Sequence, residues 1–236
     1  MLTKSLLFTA LLKAAAATPI NLDQRQTACE DIHFFIARGS TEPYPGSQKD
    51  VVNRVCEGLS SCGYEDIIYA AATLEDYCNS AYGGVANGTA QITAYAESCP
   101  EAKLVLTGYS QGGHVVGDIL GGGGGPFQDC TQKTSAPLSP ETSPGNQIVA
   151  VTLFGDVRHT ASQTYNVGTG AAGNGIWPRS DSDLGSLNKF SELIHSWCFA
   201  DDPVCGGAGG SDYSAHIAYF NQSTPEAAAW VKTKLT

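Results

Sequence analysis

KLVLTGYSQGGHVVGDIL, residues 103–120, joins a short apolar run to a helix-like run through a glycine-rich turn. Leu104 to Thr107 is nearly continuously apolar, which predicts a strand buried on both faces. The turn Gly108-Tyr109-Ser110-Gln111-Gly112 matches G-x-S-x-G, the pattern that presents a nucleophilic serine between a strand and a helix. Bulky residues at the flanking positions would collide with neighbouring backbone in so sharp a turn. The sequence therefore predicts that Ser110 stands exposed at the end of a buried strand.

The rest of the chain repeats this alternation of apolar runs and helix-like stretches. The further predicted strands are residues 32–37, 66–72, 148–154 and 193–198, and the further helices are 48–59, 84–98 and 224–235. Alternating strands and helices indicate an α/β fold with a parallel sheet covered on both sides. The run Gly121 to Gly125 has no Lys and follows a helix, so it does not match a phosphate-binding loop. We expect it to end the helix and begin a mobile loop within the irregular residues 121–147.

Composition and charge limit the partners of this single domain. The 236 residues carry 13 Lys and Arg against 23 Asp and Glu, a net charge of −10. Charged residues make up 15% of the chain, where about 25% is usual. An acidic surface repels phosphate backbones and anionic lipid, so neither nucleic acid nor a membrane is an expected partner. A neutral substrate and a monomeric state are expected instead.

The first residues predict export. Residues 1–17, MLTKSLLFTALLKAAAA, have the basic start, short apolar stretch and small residues of a secretory signal. Residues 18–28 are predicted to be a flexible segment or propeptide, and 29–236 a single catalytic domain. Asn87-Gly88-Thr89 and Asn221-Gln222-Ser223 are acceptable N-glycosylation sites for a secreted protein. We therefore expect an extracellular location.

Eight cysteines lie beyond the leader. An even number in a secreted chain predicts up to four disulfides. None of their spacings suits zinc, and there is no H-E-x-x-H motif, so no metal site is expected.

A serine nucleophile needs a base to accept its proton and an acid to orient that base. His33 lies in the first predicted strand and His114 in the helix of Ser110, so both are expected to be packing or surface residues. His159 is harder to exclude. Two acid and base pairs follow the chain order of α/β-hydrolases, Asp156 with His195 and Asp202 with His216.

The two pairs differ in their relation to the last predicted strand. His195 falls within that strand, whereas Asp202 and His216 both follow it, and a bridge between Cys198 and Cys205 would hold the loop of Asp202 rigid. The pattern favours Asp202 and His216 without excluding the first pair.

Four ordered segments together resemble the cutinase and acetylxylan esterase family, carbohydrate esterase family 5. They are FIARGSTE at 35–42, GYSQGG at 108–113, LFGD at 153–156, and DPVC at 202–205 followed by His216. The resemblance covers nearly all of residues 29–235. It implies a compact three-layer α/β-hydrolase without a lid, a five-stranded parallel sheet, and no cofactor. By this resemblance Ser110 is the nucleophile, Asp202 the orienting acid and His216 the base.

The resemblance also implies an oxyanion hole and two disulfides. Ser40, through its N–H and hydroxyl, and Gln111, through its N–H, match the family's oxyanion hole. The family pattern pairs Cys29 with Cys99 and Cys198 with Cys205. Of the three possible pairings of the other four cysteines, proximity favours Cys56 with Cys62 around a helix end, which leaves Cys78 with Cys130.

The substrate is less defined by the sequence. Gly113, the run 121–125 and Gly155-Asp156 resemble the acetylxylan esterase branch. Val204 is small where that branch tends to carry an aromatic residue, and Gly206 stands where it often has a cysteine. We expect deacetylation of xylan, with hydrolysis of longer-chain polyester as the alternative. A third hypothesis is a non-catalytic protein that binds surface polymer.

Overall fold

The computed structural model of the protein describes residues 29–73, 76–207 and 211–236. The predicted signal peptide 1–17 and the segment 18–28 lie outside these ranges. Six parallel strands form one sheet in the order β2-β1-β3-β6-β8-β7. Their bounds are β1 Ile32–Ala37, β2 Cys62–Asp66, β3 Lys103–Tyr109, β6 Ile148–Phe154, β7 Asn166–Val167 and β8 Ile194–Trp197. A separate antiparallel hairpin consists of β4 Gly123–Phe127 and β5 Cys130–Ser135.

Helices cover both faces of the sheet. They are α1 Lys49–Cys56, α2 Tyr77–Ser98, α3 Gln111–Gly121, α4 Asp181–Leu187, α5 Tyr219–Gln222 and α6 Thr224–Lys234. On β1, Phe35 packs in the apolar cluster shared with α2 and α3, and Phe34 in the cluster shared with α1 and α6. Successive side chains of a strand point to opposite faces, so a strand covered on both sides must be apolar throughout. This explains why the core strands have continuous apolar runs.

The predicted α/β class is confirmed, and the strand prediction is wrong in two places. The apolar run 66–72 is not a strand, because β2 ends at Asp66 and the run continues as irregular chain. In that run Ile67 and Tyr69 are buried while Ile68 is exposed, which gives a strand-like pattern, but the pairing with β1 ends where the Ile67 N–H donates to the Ile36 carbonyl. The sheet has six strands rather than five, because the two-residue β7 pairs with β8 at the edge. A strand of two residues is too short to leave a periodic pattern.

The glycine-rich run forms a hairpin strand rather than a mobile loop. Helix α3 ends at Gly121 as predicted, and Gly122 follows it with a φ of 73°. Gly123 then begins β4, which pairs with β5. Glycine has no side chain to show a strand period, so no alternation of apolar and polar residues marks this element. The disulfide Cys78–Cys130 ties the hairpin to α2.

All four predicted disulfides are present. They are Cys29–Cys99, Cys56–Cys62, Cys78–Cys130 and Cys198–Cys205. The described residues contain no free cysteine. The structure thus contains the two pairings chosen by proximity and the two that the family resemblance implied.

Removing Cys78–Cys130 with paired alanines is expected to lower stability by about 4 kcal/mol, because the bridge closes a loop between residues 52 apart in sequence. For a domain of this size the melting temperature should fall by roughly 10 °C. The matched control is the Cys56→Ala and Cys62→Ala double variant. It removes a bridge between residues only 6 apart, so the loss of stability should be about half as large. Calorimetry measures both, and an equal fall in the two proteins would contradict the loop-closure argument.

Candidate active site

Ser110 occupies a strained turn between β3 and α3. Its φ is 54° and its ψ −119°, an unfavourable region for a residue with a side chain. A Cβ on Gly108 would overlap the carbonyl of Gly112, and one on Gly112 would overlap that of Ala37. Both glycines are therefore required by close backbone contacts, as the motif predicted. The turn lifts the Ser110 hydroxyl out of the sheet at the carboxyl end of β3.

Three side chains distant in sequence form one hydrogen-bonded chain. The Oγ of Ser110 lies 2.9 Å from Nε2 of His216, a residue 106 positions away. Nδ1 of His216 lies 2.8 Å from Oδ2 of Asp202. Asp202 is fully buried, and His216 is 6% exposed. The structure thus brings Ser110, His216 and Asp202 together in the order required for proton transfer from a hydroxyl to an imidazole.

The carboxylate of Asp202 is held in its ionised form by several donors. The Tyr219 hydroxyl donates to Oδ2 at 2.6 Å, and the Val204 N–H donates to Oδ1 at 2.7 Å. Burial raises the pKa of Asp202, but the hydrogen bonds from His216, Tyr219 and Val204 and the charge interaction with His216 lower it below its usual value. Asp202 lies in the loop that the disulfide Cys198–Cys205 closes. Asp202 is therefore a fixed negative charge beside the imidazole.

Two tyrosines support the histidine, and sequence reasoning did not identify them. The Tyr109 hydroxyl donates to the carbonyl of His216 at 2.9 Å. Tyr219 packs edge-on against the same ring while it binds Asp202. Tyr109 was visible only as the variable position of G-x-S-x-G, and no motif marks Tyr219. Their roles depend on contacts between distant segments.

The alternative acid and base lie away from Ser110. Asp156 accepts a hydrogen bond from Nη1 of Arg179 at 2.6 Å. His195 stacks on Trp230 with ring centroids 4.0 Å apart. His159 is buried, with Nδ1 3.3 Å from the Ser196 hydroxyl. None of these three residues hydrogen-bonds to Ser110.

His33 and His114 are packing residues, as expected. His33 stacks on Tyr95 with centroids 3.8 Å apart. His114 lies fully buried between the Tyr77 hydroxyl and Asp118, each at 3.0 Å. Neither imidazole hydrogen-bonds to the Ser110 hydroxyl.

Asp118, near the C-terminal end of α3, forms hydrogen bonds that link this helix to other segments. Nη1 of Arg158 donates to Asp118 at 3.0 Å. Burial raises the pKa of Asp118, but His114, Arg158 and Arg179 together lower it to about 2. Asp118 thus stays ionised, and through His114 it fixes Tyr77, which lines the cavity beside Ser110.

The loop that carries Ser40 is tied down at both ends. Gly39 donates its N–H to the carboxylate of Glu42 at 2.7 Å, and the Ser47 hydroxyl donates to the same carboxylate at 2.5 Å. Thr41 has a φ of 62° and donates its N–H to the carbonyl of Ala71 at 2.8 Å. The loop is therefore held in one conformation, and Ser40 lines the cavity next to Ser110.

Gln111 begins α3, where the first N–H groups of a helix lack partners within the helix. Its side chain is buried and points away from solvent. The amide donates to the carbonyl of Ala72 at 3.0 Å and accepts from the Ser80 hydroxyl at 2.9 Å. These bonds fix the residue that directly follows Ser110.

A cavity of about 510 Å³ opens beside Ser110 and His216. Its walls are mainly apolar and include Phe127, Val157, Ile176, Val204, Ile217 and Phe220. Phe127 comes from the hairpin, so the Cys78–Cys130 bridge positions part of this wall. The apolar cavity fits an acyl group better than a charged one.

A serine on a strand-to-helix turn of a parallel sheet, hydrogen-bonded to a histidine that in turn binds an aspartate, defines a serine hydrolase of the α/β-hydrolase class. A model of the cutinase family matches residues 28–235, and the chain belongs to that family.

Individual relatives agree with this assignment. The chain is 35% identical to acetylxylan esterase 2 of Talaromyces purpureogenus, covering 94% of each chain. It is 32% identical to cutinase 11 of Verticillium dahliae, covering 100% of this chain and 78% of the relative. The solved catalytic core domain of acetyl xylan esterase from Trichoderma reesei is 31% identical, with a TM-score of 0.76 over 87% of this chain and 99% of the other. The chain is therefore a carboxylic-ester hydrolase.

Proposed function

We propose that this protein is a secreted acetylxylan esterase that removes O-acetyl groups from xylan. The observation that carries the proposal is the hydrogen-bonded chain from Ser110 through His216 to Asp202 at an apolar cavity. Two acetylxylan esterases, 35% and 32% identical to the chain, support the choice of substrate.

In the proposed reaction, Ser110 attacks the carbonyl carbon of the ester while Nε2 of His216 takes the hydroxyl proton. Asp202 stabilises the resulting imidazolium. As the ester C–O bond breaks, the imidazolium gives this proton to the sugar oxygen, which leaves as a hydroxyl, and an acyl-enzyme remains on Ser110. Water, deprotonated by His216, then releases acetate and restores the serine. The N–H groups of Ser40 and Gln111, with the Ser40 hydroxyl, would stabilise the oxyanion in both steps.

Ser40→Ala is expected to lower kcat by roughly 10²-fold with little change in KM, because the hydroxyl would bind a charge that exists only near the transition state. Steady-state kinetics on 4-nitrophenyl acetate measures both constants. Ser60→Ala is the matched control, since Ser60 is an exposed serine that does not line the cavity. A kcat for Ser40→Ala within threefold of the control would remove Ser40 from the oxyanion hole.

A second function, hydrolysis of longer-chain polyester, is favoured by the shape of the cavity. Val204 is a small residue in its wall, and about 510 Å³ exceeds what an acetyl group needs. Cutinase 11 is as similar to the chain as one of the acetylxylan esterases is.

The two functions differ in their dependence on acyl length. For an acetylxylan esterase, kcat/KM on 4-nitrophenyl esters should fall steeply from acetate to butyrate, octanoate and palmitate, and acetylated xylan should release acetate. A maximum at butyrate or longer, without acetate release from xylan, would select the polyester function. A non-catalytic polymer-binding protein would not react with a serine-directed fluorophosphonate, whereas either esterase would.

The proposed location is extracellular. No helix within the described ranges is long and apolar enough to cross a membrane. The signal peptide 1–17 and the single domain 29–236 remain predictions, as do a monomeric state and glycosylation at Asn87 and Asn221. Both asparagines are exposed on the surface, which is compatible with modification.

A further inference from the structure

A second, polar groove begins where the active-site cavity ends. It lies between α1 on one side and α5 with the start of α6 on the other, and has a volume of about 850 Å³. Phe220 lines both spaces. Ser47, just before α1, and Ile217, just before α5, face the cavity, whereas Asp50 and Asn221 on those helices face the groove. The two spaces therefore adjoin at Phe220.

One face of α1 forms the polar wall of this groove. Asp50, Asn53 and Arg54 line it at the spacing that places residues on one side of a helix, and Glu57, directly after the end of α1, extends it. All four are exposed, while Val51, Val52 and Val55 on the other side are buried in the core. At 1.5 Å per residue this wall is about 10 Å long. It is long enough to contact more than one sugar ring of a polymer.

The polar groups of this wall are available to a ligand. Within the described ranges, none of the four side chains takes part in an ion pair, and Arg54 pairs with neither Asp50 nor Glu57. An amide, a guanidinium and two carboxylates together provide both donors and acceptors, as sugar hydroxyl groups require. Two carboxylates against one guanidinium leave the wall net negative, which favours a neutral chain over a polyanion.

Phe220 is held firmly between the two spaces. Its ring packs edge-on against Tyr109 at 5.3 Å between centroids and lies 5.1 Å from Phe154. A sugar ester has a small apolar acyl part and a large hydroxyl-rich alcohol part. The apolar cavity and the polar groove match these two parts in chemistry and in order.

We infer that the groove lined by Asn53, Arg54 and Asn221 binds the neutral polysaccharide chain whose ester is held at Ser110. This inference rests on the proposed function, since it concerns the alcohol part of the same substrate. Xylan bound along α1 would keep successive acetyl groups close to Ser110.

The test compares a polymeric with a small ester in the Asn53→Ala/Arg54→Ala double variant. Acetylated xylan reaches the groove, whereas 4-nitrophenyl acetate has no sugar chain. Loss of two hydrogen-bonding side chains should lower the ratio of kcat/KM on xylan to kcat/KM on the nitrophenyl ester about tenfold. Lys189→Ala, which removes an exposed cation elsewhere, should leave the ratio unchanged. An unchanged ratio in the double variant would overturn the inference.

A binding measurement separates this inference from the proposed function. Unacetylated xylo-oligosaccharide is titrated calorimetrically into Ser110→Ala protein with and without the two groove substitutions. A Kd about tenfold weaker in the groove variant supports the inference even if native protein fails to deacetylate xylan, which would overturn only the proposed function. Equal Kd values, or no binding by either protein, would overturn the groove assignment.

Asn221 needs a separate comparison, because it is also a predicted glycosylation site and a glycan there would occupy the groove. Binding is therefore measured on protein secreted by a eukaryotic host and on protein from a bacterial periplasm, which carries no N-glycan. Equal binding supports a substrate groove if peptide mass spectrometry shows Asn221 of the secreted form unmodified, whereas equal binding with a glycan on Asn221 would overturn it. Binding only by the unglycosylated form would overturn it for the secreted protein.

Discussion

Replacing Ser110 with alanine is expected to lower kcat on 4-nitrophenyl acetate by roughly 10⁴-fold to 10⁶-fold. The hydroxyl lies 2.9 Å from His216 Nε2 and is the only triad atom placed to form the acyl-enzyme. Without it the imidazole has no nucleophile to deprotonate. The donors proposed at Ser40 and Gln111 would remain, so a small residual rate from water attack is expected.

The fold should survive this change. Alanine carries the same Cβ as serine, so the backbone strain at a φ of 54° is the same in both proteins. We therefore expect an unchanged melting temperature, which distinguishes lost chemistry from lost structure. Ser211→Ala, an exposed serine elsewhere, is the matched control and should keep full activity. Retained activity in Ser110→Ala, or fluorophosphonate labelling of that variant, would place the nucleophile elsewhere.

The core strands could be predicted because a strand that is covered on both faces must be apolar at every position. β1 and β6 are covered on both faces, and their predicted bounds match the observed ones. β2 is an edge strand of sequence CGYED whose residues are half-buried or exposed, so it has no apolar run to find. The buried residues Ile67 and Tyr69 just beyond β2 belong to an apolar run that predicted a strand at the wrong place. Hairpin strand β4 was missed because GGGPF carries almost no side-chain pattern.

The part of the site that depends on residues adjacent in sequence could be predicted. The turn at Ser110 follows from adjacent glycines, and the order of acid and base along the chain left two pairs. The two candidate acids differ in their hydrogen-bond partners, because Asp156 binds Arg179 while Asp202 binds His216. Tyr219 adds a hydrogen bond to Asp202 that no local pattern indicates. Such contacts depend on tertiary packing; the family resemblance implied the pair of Asp202 and His216 but not the contact from Tyr219.

Asp202→Asn is expected to lower kcat by about 10⁴-fold while the fold is retained. An amide occupies nearly the same space and can still accept the Val204 N–H, so the loop closed by the disulfide Cys198–Cys205 should persist. It cannot stabilise a protonated His216, and its NH₂ group would favour the imidazole tautomer with the proton on the nitrogen facing Ser110. That nitrogen could then no longer accept the serine proton.

Two further substitutions make this loss specific to Asp202. Asp201→Asn changes the same charge one residue away on an exposed side chain and should leave kcat within twofold. Asp156→Asn removes a buried partner of Arg179 and should lower the melting temperature, because breaking a buried ion pair leaves an uncompensated charge. Its kcat per folded molecule should fall far less than that of Asp202→Asn. If Asp156→Asn instead lost about 10⁴-fold in kcat and Asp202→Asn did not, Asp156 would be the acid that orients the catalytic histidine.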